Sequence, residues 1–230
     1  AQVYLGPALI PGLAASGLIV LAIGSAWVVR EAPGIGELAG IALLIASAVL
    51  LGASRLAIDL SGFDILEPSF LRRSAVFSAA VLGLFFALRP LLRRAAGFLH
   101  ALDSGLLYVL SNFWVGPFTG AVLRLFRGEL GLAVWTMFVF GSAALVLTNL
   151  FGIAELQKAF RVSRAAVAVP LQTLPTQIAP GLVYLLVFRL PPPSRGSLWL
   201  FALGAGLILI SSFLIGWREP AGESALQRPA

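Results

Sequence analysis

The segment 166–188, "AVAVPLQTLPTQIAPGLVYLLVF", has the length of a membrane-spanning helix but is interrupted by prolines and hydrogen-bonding side chains. It contains no charged residue, and about 20 mostly apolar residues suffice to cross the hydrocarbon core. Pro170, Pro175 and Pro180 recur every five residues, and each removes one backbone donor from a helix. We therefore predict a membrane helix that kinks or unwinds at three proline hinges.

The composition of the whole chain is that of an integral membrane protein. Of its 230 residues, 59% are hydrophobic and 11% are charged, and the mean hydropathy is +0.97. Soluble domains carry about 25% charged residues. The net charge of +6 comes from short basic clusters between apolar runs, as in membrane loops. Membrane lipid is therefore an expected partner and nucleic acid is not, and we expect a multi-pass protein of a bacterial inner (cytoplasmic) membrane.

Seven apolar runs are candidate membrane spans. Because the runs are continuous rather than alternating, they favour helices over strands, and the predicted fold class is all-α. The candidate spans are 5–29, 35–53, 74–88, 105–123, 132–152, 166–188 and 197–217. Between the third and fourth spans, residues 89–104 carry arginines and leucines at helical spacing and are predicted to lie in the interface as an amphipathic helix.

Two regions of the chain coincide without a gap when the sequence is shifted by 164 positions. The identical pairs that apolar composition does not explain are Pro11 and Pro175, Gly40 and Gly204, Ser47 and Ser211, and Gly52 and Gly216. Since three spans separate the repeated hairpins, one repeat unit should hold five spans and a pair should hold ten, with three preceding Ala1. The predicted organisation is the last two helices of a first repeat (1–54), a linker loop (55–73), a second five-helix repeat (74–217) and a polar tail (218–230).

Two stretches, "VSRAAVAVPLQTLPTQIAPGLVYLLVF" followed by "GAGLILISSFLIG", and the earlier "GELAGIALLIASAVLLG", resemble the helices that close the two halves of the drug/metabolite transporter superfamily, in its EamA-like branch. The resemblance implies ten helices in two inverted repeats of five, and secondary transport of small metabolites. The glutamate common at the end of the family's ninth helix has an equivalent only in the first hairpin, at Glu31. The segment "LTNLFGIAELQKAFRVSRAAVAVPLQ" also resembles a helix pair of NIPA-type magnesium transporters.

Polar residues inside the apolar runs are the candidate substrate ligands. They are Gln172, Thr173, Thr176, Gln177 and Tyr184 in the sixth span, Asn149 in the fifth, and Asn112 and Trp114 in the fourth. Uncharged amides, hydroxyls and an indole suit a small polar organic solute, and irregular backbone is tolerated at membrane depth where it lines a wet cavity. The other interpretation is that these side chains join helices by hydrogen bonds across their interfaces.

Ionisable side chains are predicted to avoid the spans. Glu155, Lys158, Arg161 and Arg164 fall at the end of the fifth span, where a solvated face is expected, and His100 follows a basic interfacial segment and is not expected to be a ligand. Proton-coupled carriers usually display an intramembrane ionisable group. The coupling is therefore expected to be weak, or to depend on helices preceding Ala1, and no metal or cofactor is predicted.

These observations favour a secondary transporter or exporter that moves a small polar metabolite by alternating access. One alternative is a non-transporting accessory or structural subunit that binds a partner through its helices, and a homodimer is compatible with either. A further alternative is a transporter of magnesium or another divalent cation. An enzyme is not expected, because no buried ionisable pair is predicted to supply acid–base chemistry.

Overall fold

The computed structural model describes residues 35–56, 64–91, 95–163 and 165–216, and all regular secondary structure in these ranges is helical. The all-α prediction is therefore confirmed for this part of the chain. The helices are α1 (Ile35–Ala53), α2 (Pro68–Leu91), α3 (Ala96–Phe126), α4 (Leu132–Val162), α5 (Ala165–Leu182) and α6 (Arg195–Gly216), with a π-helical turn at Val183–Val187 directly after α5.

Three of these helices are long and apolar enough to cross a membrane, over Pro68–Pro90, Ala96–Phe126 and Leu132–Val162. Shorter apolar segments lie at Leu38–Ala53 in α1 and Arg195–Ser211 in α6. Each predicted span from the second to the seventh falls on one of the described helices. The predicted first span (5–29) and the polar tail (218–230) lie outside the described residues, so the count of seven spans stays a prediction.

The outer surface of α4 is mostly apolar from Leu132 to Ile153. Its large exposed side chains are Leu132, Trp135, Val139, Phe140, Val146, Leu147, Leu150, Phe151 and Ile153. Water-soluble proteins rarely expose apolar patches of this extent. This face therefore suits contact with lipid, in agreement with a membrane protein.

The helices α3 and α4 form an antiparallel hairpin with a tight connection. Gly128, with φ of +82°, follows the end of α3, where its N–H donates to the carbonyl of Leu125 and the N–H of Glu129 donates to Arg124. This is the double hydrogen bond that closes a helix with a left-handed residue, which glycine adopts without steric cost. Further along the pair, Gly141 packs against Phe118.

The helix α5 runs parallel to α3 and in close contact with it. A Cβ at Gly97 would lie 2.7 Å from Cβ of Ser163, just before α5. A Cβ at Gly105 would clash with the carbonyl oxygen of Gln172 and lie 3.0 Å from Cδ of Pro175. The two contacts occur in the same order along both segments, which establishes the parallel direction. Glycine therefore sets how near the proline-bearing helix lies to α3.

The predicted unwinding at the prolines does not occur, because α5 stays α-helical through Pro170, Pro175 and Pro180. The irregular backbone comes after them, in the π-helical turn, where the N–H of Phe188 donates to the carbonyl of Val183 at 3.1 Å. Arg189 then adopts a left-handed conformation with φ of +52°. Proline thus leaves the helix intact, and the change of hydrogen-bond register is confined to its end.

The helices α1 and α6 pack against each other through a reciprocal pair of contacts. The hydroxyl of Ser211 donates to the carbonyl oxygen of Gly40 at 2.7 Å. At the other end, a Cβ at Gly204 would lie 3.2 Å from the carbonyl oxygen of Ser47. These four residues are two of the pairs related by the shift of 164 positions. Gly40 of α1 thus contacts Ser211 of α6, and Gly204 of α6 approaches Ser47 of α1. Such an exchange is typical of an antiparallel helix pair related by a local twofold axis.

Candidate functional site

Several predicted substrate ligands have their polar groups engaged in structural hydrogen bonds. The hydroxyls of Thr173 and Thr176 donate to the carbonyls of Pro170 and Thr173 within α5, at 2.8 and 2.7 Å. The hydroxyl of Tyr184 donates to the carbonyl of Pro191 at 2.7 Å and so joins the π-helical turn to the loop that precedes α6. Because each of these hydroxyls already donates its proton to a backbone carbonyl, its oxygen can only accept a further hydrogen bond.

Two candidates on α3 behave differently from each other. Trp114 is buried, and its indole N–H donates to the hydroxyl of Ser78 at 3.2 Å, which connects α3 to α2. Asn112 is exposed, and its side chain forms no hydrogen bond with another candidate among the described residues. The sequence could not separate the two positions, because apolar residues surround both on every side of the helix.

A polar contact crosses the α3–α4 interface half-way along both helices. The amide of Asn149 donates to the hydroxyl of Ser111 at 2.6 Å and to the carbonyl of Leu145 at 2.8 Å. Ser111 is the central residue of α3, and Asn149 lies two residues beyond the centre of α4. Asn149 therefore places a half-buried amide near the middle of the bundle, where its Oδ1 has no hydrogen bond among the described residues.

Gln177 is the predicted ligand with the least satisfied side chain. It is 3% exposed, and neither its amide nitrogen nor its amide oxygen has a hydrogen-bond partner among the described residues. Gln172, one and a half turns earlier, is half-buried. A buried amide without partners is costly, so Gln177 is the position where a complementary polar group is most strongly favoured.

The register between α3 and α5 gives the depth of Gln177. Gly105 lies beside Gln172 and Pro175, and both helices rise about 1.5 Å per residue in the same direction. Gln177 therefore lies within about one helical turn of the level of Ser111, near the centre of α3. The amides of Gln177 and Asn149 thus occupy the same central layer of the bundle.

A second polar group, the ionisable cluster, consists of Arg89, His100, Asp103, Glu155 and Lys158 on α2, α3 and α4. Glu155 is at its centre: its carboxylate lies 2.6 Å from Nδ1 of His100 and accepts from Nζ of Lys158 at 2.9 Å and from Nη2 of Arg89 at 3.4 Å. Nε of Arg89 also donates to Asp103 at 3.3 Å, and the guanidinium carbon lies 4.2 Å from the centroid of the Phe85 ring.

The acids of this cluster are buried and its bases are at the surface. The side chains of Asp103 and Glu155 are 1% and 7% exposed, whereas those of Arg89 and Lys158 are 44% and 53% exposed. Arginine and lysine commonly place their aliphatic parts along apolar surface and their charges outside it. The cluster therefore buries its two carboxylates and exposes the side chains of Arg89 and Lys158.

The cluster corrects the prediction that ionisable side chains avoid the spans. The fourth span was expected to begin at residue 105, but α3 begins at Ala96, so part of the predicted interfacial helix belongs to α3. Asp103 and Glu155 each lie eight residues from the centre of their helix, about 12 Å along its axis. Glu155 is 6% exposed and is in contact with Arg89, His100 and Lys158, so the expected solvated position of Glu155 is wrong.

Charge balance argues against a metal in this cluster. Ligating atoms of His100, Asp103 and Glu155 lie within 4.8 Å of one another, a spacing that a cation could bridge. Arg89 and Lys158 already pair with the two carboxylates, so a divalent ion would bring excess positive charge. We therefore assign the cluster no metal.

The sequence contains one indication of this cluster that a hydropathy profile does not detect. His100 and Asp103, and likewise Glu155 and Lys158, are three residues apart and therefore share a helix face. The arrangement can hold charge inside the bundle and exchange a proton, while the central amides can form hydrogen bonds to an uncharged solute. Comparisons of the chain with models of known protein families, with curated proteins and with solved structures give no match.

Proposed function

We propose that this protein is a secondary transporter of a small, uncharged or zwitterionic polar solute, that it works by alternating access, and that Gln177 is its principal solute ligand. The observation that carries the proposal is the side chain of Gln177, which is buried and has no partner for either amide atom among the described residues. A primary amide offers two donors and an acceptor. Amides, hydroxyls and carboxylates of small metabolites complement it.

The surroundings of Gln177 support a polar cavity. Among the described residues, six buried side-chain atoms lack a hydrogen-bond partner, and four of them belong to Asp103, Ser104 and Gln177 on the neighbouring helices α3 and α5. Lipid offers no compensation for such groups. Their concentration along one helix pair favours a path for solute or water over a dry packing interface.

The helix α5 has the properties expected of a moving element. Its three prolines each lack the N–H that would bond to a carbonyl one turn earlier, so neighbouring turns are joined by fewer hydrogen bonds. A π-helical turn, a feature frequent at functional sites, follows directly. We propose that α5 bends at Pro170, Pro175 and Pro180 during the transport cycle.

The reciprocal contacts between α1 and α6 support the inverted-repeat architecture of the drug/metabolite transporter superfamily. In an inverted repeat, equivalent helices meet around a twofold axis in the membrane plane. The exchange of glycine and serine contacts between α1 and α6 has this symmetry. On this proposal the two helices close the two halves of the transporter.

The proposal is tested first by binding. A panel of amino acids, nucleosides and sugars (the solute panel) is screened for compounds that raise the unfolding temperature of the purified protein, and those compounds are tested for uptake into proteoliposomes. We expect Gln177→Ala to abolish stabilisation and uptake, and Gln172→Ala to weaken them. Gln157→Ala, at an exposed position on α4, is the matched control. Uptake unchanged in both α5 variants would remove α5 from the solute site.

A further inference from the structure

We propose that the ionisable cluster is the proton-coupling site of this protein and that Asp103 carries the proton. This inference rests on the proposed transport function. It departs from the expectation that coupling is weak in this chain, because two buried carboxylates lie within helices long and apolar enough to cross a membrane. The inference depends on the unequal hydrogen bonding of the two acids.

Glu155 is fully compensated as a carboxylate. Nζ of Lys158 on α4 donates to Oε1 at 2.9 Å and Nδ1 of His100 on α3 lies 2.6 Å from Oε2, while Arg89 on α2 reaches Oε1 only at 3.4 Å. Charge-assisted hydrogen bonds of this kind are about twice as strong as neutral ones. Glu155 therefore remains ionised and acts as the fixed negative charge of the cluster.

Asp103 is poorly compensated. Its Oδ2 accepts one long bond from Arg89, at 3.3 Å, while its Oδ1 is buried and has no hydrogen-bond partner among the described residues. A buried carboxylate with one empty oxygen is expensive as an anion. Binding one proton to this carboxylate removes its charge, breaks its ion pair with Arg89, and leaves Arg89 on Glu155.

The charges around Asp103 allow it to bind a proton without giving the cluster a large net charge. Among the described residues, the facing groups are Arg89 from α2, His100 from its own helix, and Glu155 and Lys158 from α4; the fourth packed helix, α5, has no titratable side chain. With His100 neutral and both acids ionised, the five groups sum to zero charge. One proton on Asp103 brings the cluster to +1, and this charge is carried by Arg89 and Lys158, whose side chains are exposed.

A short path joins Asp103 to the proposed solute helix. Asp103 and Ser104 directly precede Gly105, which lies against the carbonyl of Gln172 and the ring of Pro175. Release of Arg89 from Asp103 loosens α2 from α3 at this level. Because α5 contacts α3 at Gly105, a small shift of α3 there reaches the proline-bearing part of α5.

The first test observes the proton directly. Infrared difference spectra of the full chain in lipid bilayers, recorded on lowering the pH, report the carbonyl stretch of protonated carboxylic acids. We expect a band at the high-frequency edge, typical of an acid without strong hydrogen bonds, and its loss in Asp103→Asn. The band should persist in Asp64→Asn, where the carboxylate is 60% exposed and paired with Arg124. A band unaffected by Asp103→Asn would overturn the proposal.

A second variant keeps the test decisive if Asp103→Asn does not fold. Arg89→Gln removes the one side chain that donates to Asp103 in the described part of the chain, and it leaves the carboxyl in place. The band should then form at higher pH than in the wild type. A cluster that merely joins helices would give no such band in either protein, and a band whose midpoint does not move in Arg89→Gln would contradict the assigned role of the ion pair.

The coupling is tested with the solute panel in vesicles that contain a pH-sensitive dye. We expect solute-dependent proton movement in the wild type, and its loss in Asp103→Asn while solute stabilisation is kept. Uptake without proton movement would refute coupling but leave the transport proposal standing, whereas a proton band without any bound solute would refute transport, and coupling with it, and leave Asp103 only as a proton-binding group. Stabilisation by Mg²⁺ or Mn²⁺ that Asp103→Asn abolishes would overturn the proposal in favour of a cation site.

Discussion

Replacing Gln177 by methionine is expected to stabilise the solute-free protein while it abolishes solute binding. The two side chains have equal length, and methionine adapts readily to irregular apolar surroundings. Gln177 buries an amide whose two polar atoms have no partner among the described residues. The substitution removes both polar atoms without leaving a cavity, so the desolvation cost of the amide disappears.

The expected gain follows from the cost of an unsatisfied buried group, about 1–3 kcal/mol in proteins. Hydrogen-bonding groups inside membrane helices are worth less, about 0.6 kcal/mol on average, since the unfolded state in the membrane also finds partners. A gain on the order of 1 kcal/mol in the free energy of unfolding is therefore expected. A site that binds polar solutes commonly sacrifices stability of this size.

The free energy of unfolding is measured by denaturant titration in mixed micelles, with and without a stabilising compound from the solute panel. Gln157→Met is the control, because Gln157 is exposed on α4 and its replacement should change stability by less than about 0.5 kcal/mol. A loss of stability in Gln177→Met would refute the reasoning. It would mean that the amide is paired in the solute-free protein and that Gln177 joins helices.

Three further outcomes are expected. Gly105→Ala should lower the free energy of unfolding by about 1–3 kcal/mol through overpacking against α5. Gly83→Ala, with no atom within 4 Å of its new Cβ, is the control and should be neutral or slightly stabilising. Denaturant titration compares the two variants, and equal effects would contradict the α3–α5 contact. Ser211→Ala removes the hydroxyl that donates to Gly40 and should cost about 0.6 kcal/mol in the same titration; an unchanged free energy of unfolding would contradict the contact between α1 and α6. Tyr184→Phe should cost about 1 kcal/mol and leave solute stabilisation unchanged in the thermal assay; loss of binding would return Tyr184 to the solute site.

Hydropathy predicted the positions of the helices well but placed their ends poorly where charges pair. The bounds of α1 are those predicted, since glycine and polar residues flank its apolar run. The predicted fourth span begins too late, at residue 105, because His100 and Asp103, each counted alone, favour an interfacial helix. Their partners are Arg89 and Glu155, on two other helices. Such compensation depends on tertiary contacts that a single segment does not reveal.

The candidate site shows a similar division. Residue type was sufficient to place Gln177 among the candidate ligands. It could not tell that the hydroxyls of Thr173 and Thr176 turn back to their own helix, because this depends on side-chain rotamers. The outward position of Asn112 was also hidden, since α3 is apolar on all sides and its sequence does not indicate which face meets the bundle.

The contact between α3 and α5 also determines which relative motion of the two helices is easiest. Gly97, Ala101 and Gly105 are spaced by four residues and lie along one line of α3; Ala101 is fully buried in the same apolar core as Val167 and Leu171 of α5. Helices usually interlock through ridges of side chains that fit into grooves. Because the small residues on this line form no ridge of side chains, they oppose axial sliding least, and α5 is suited to shear along α3.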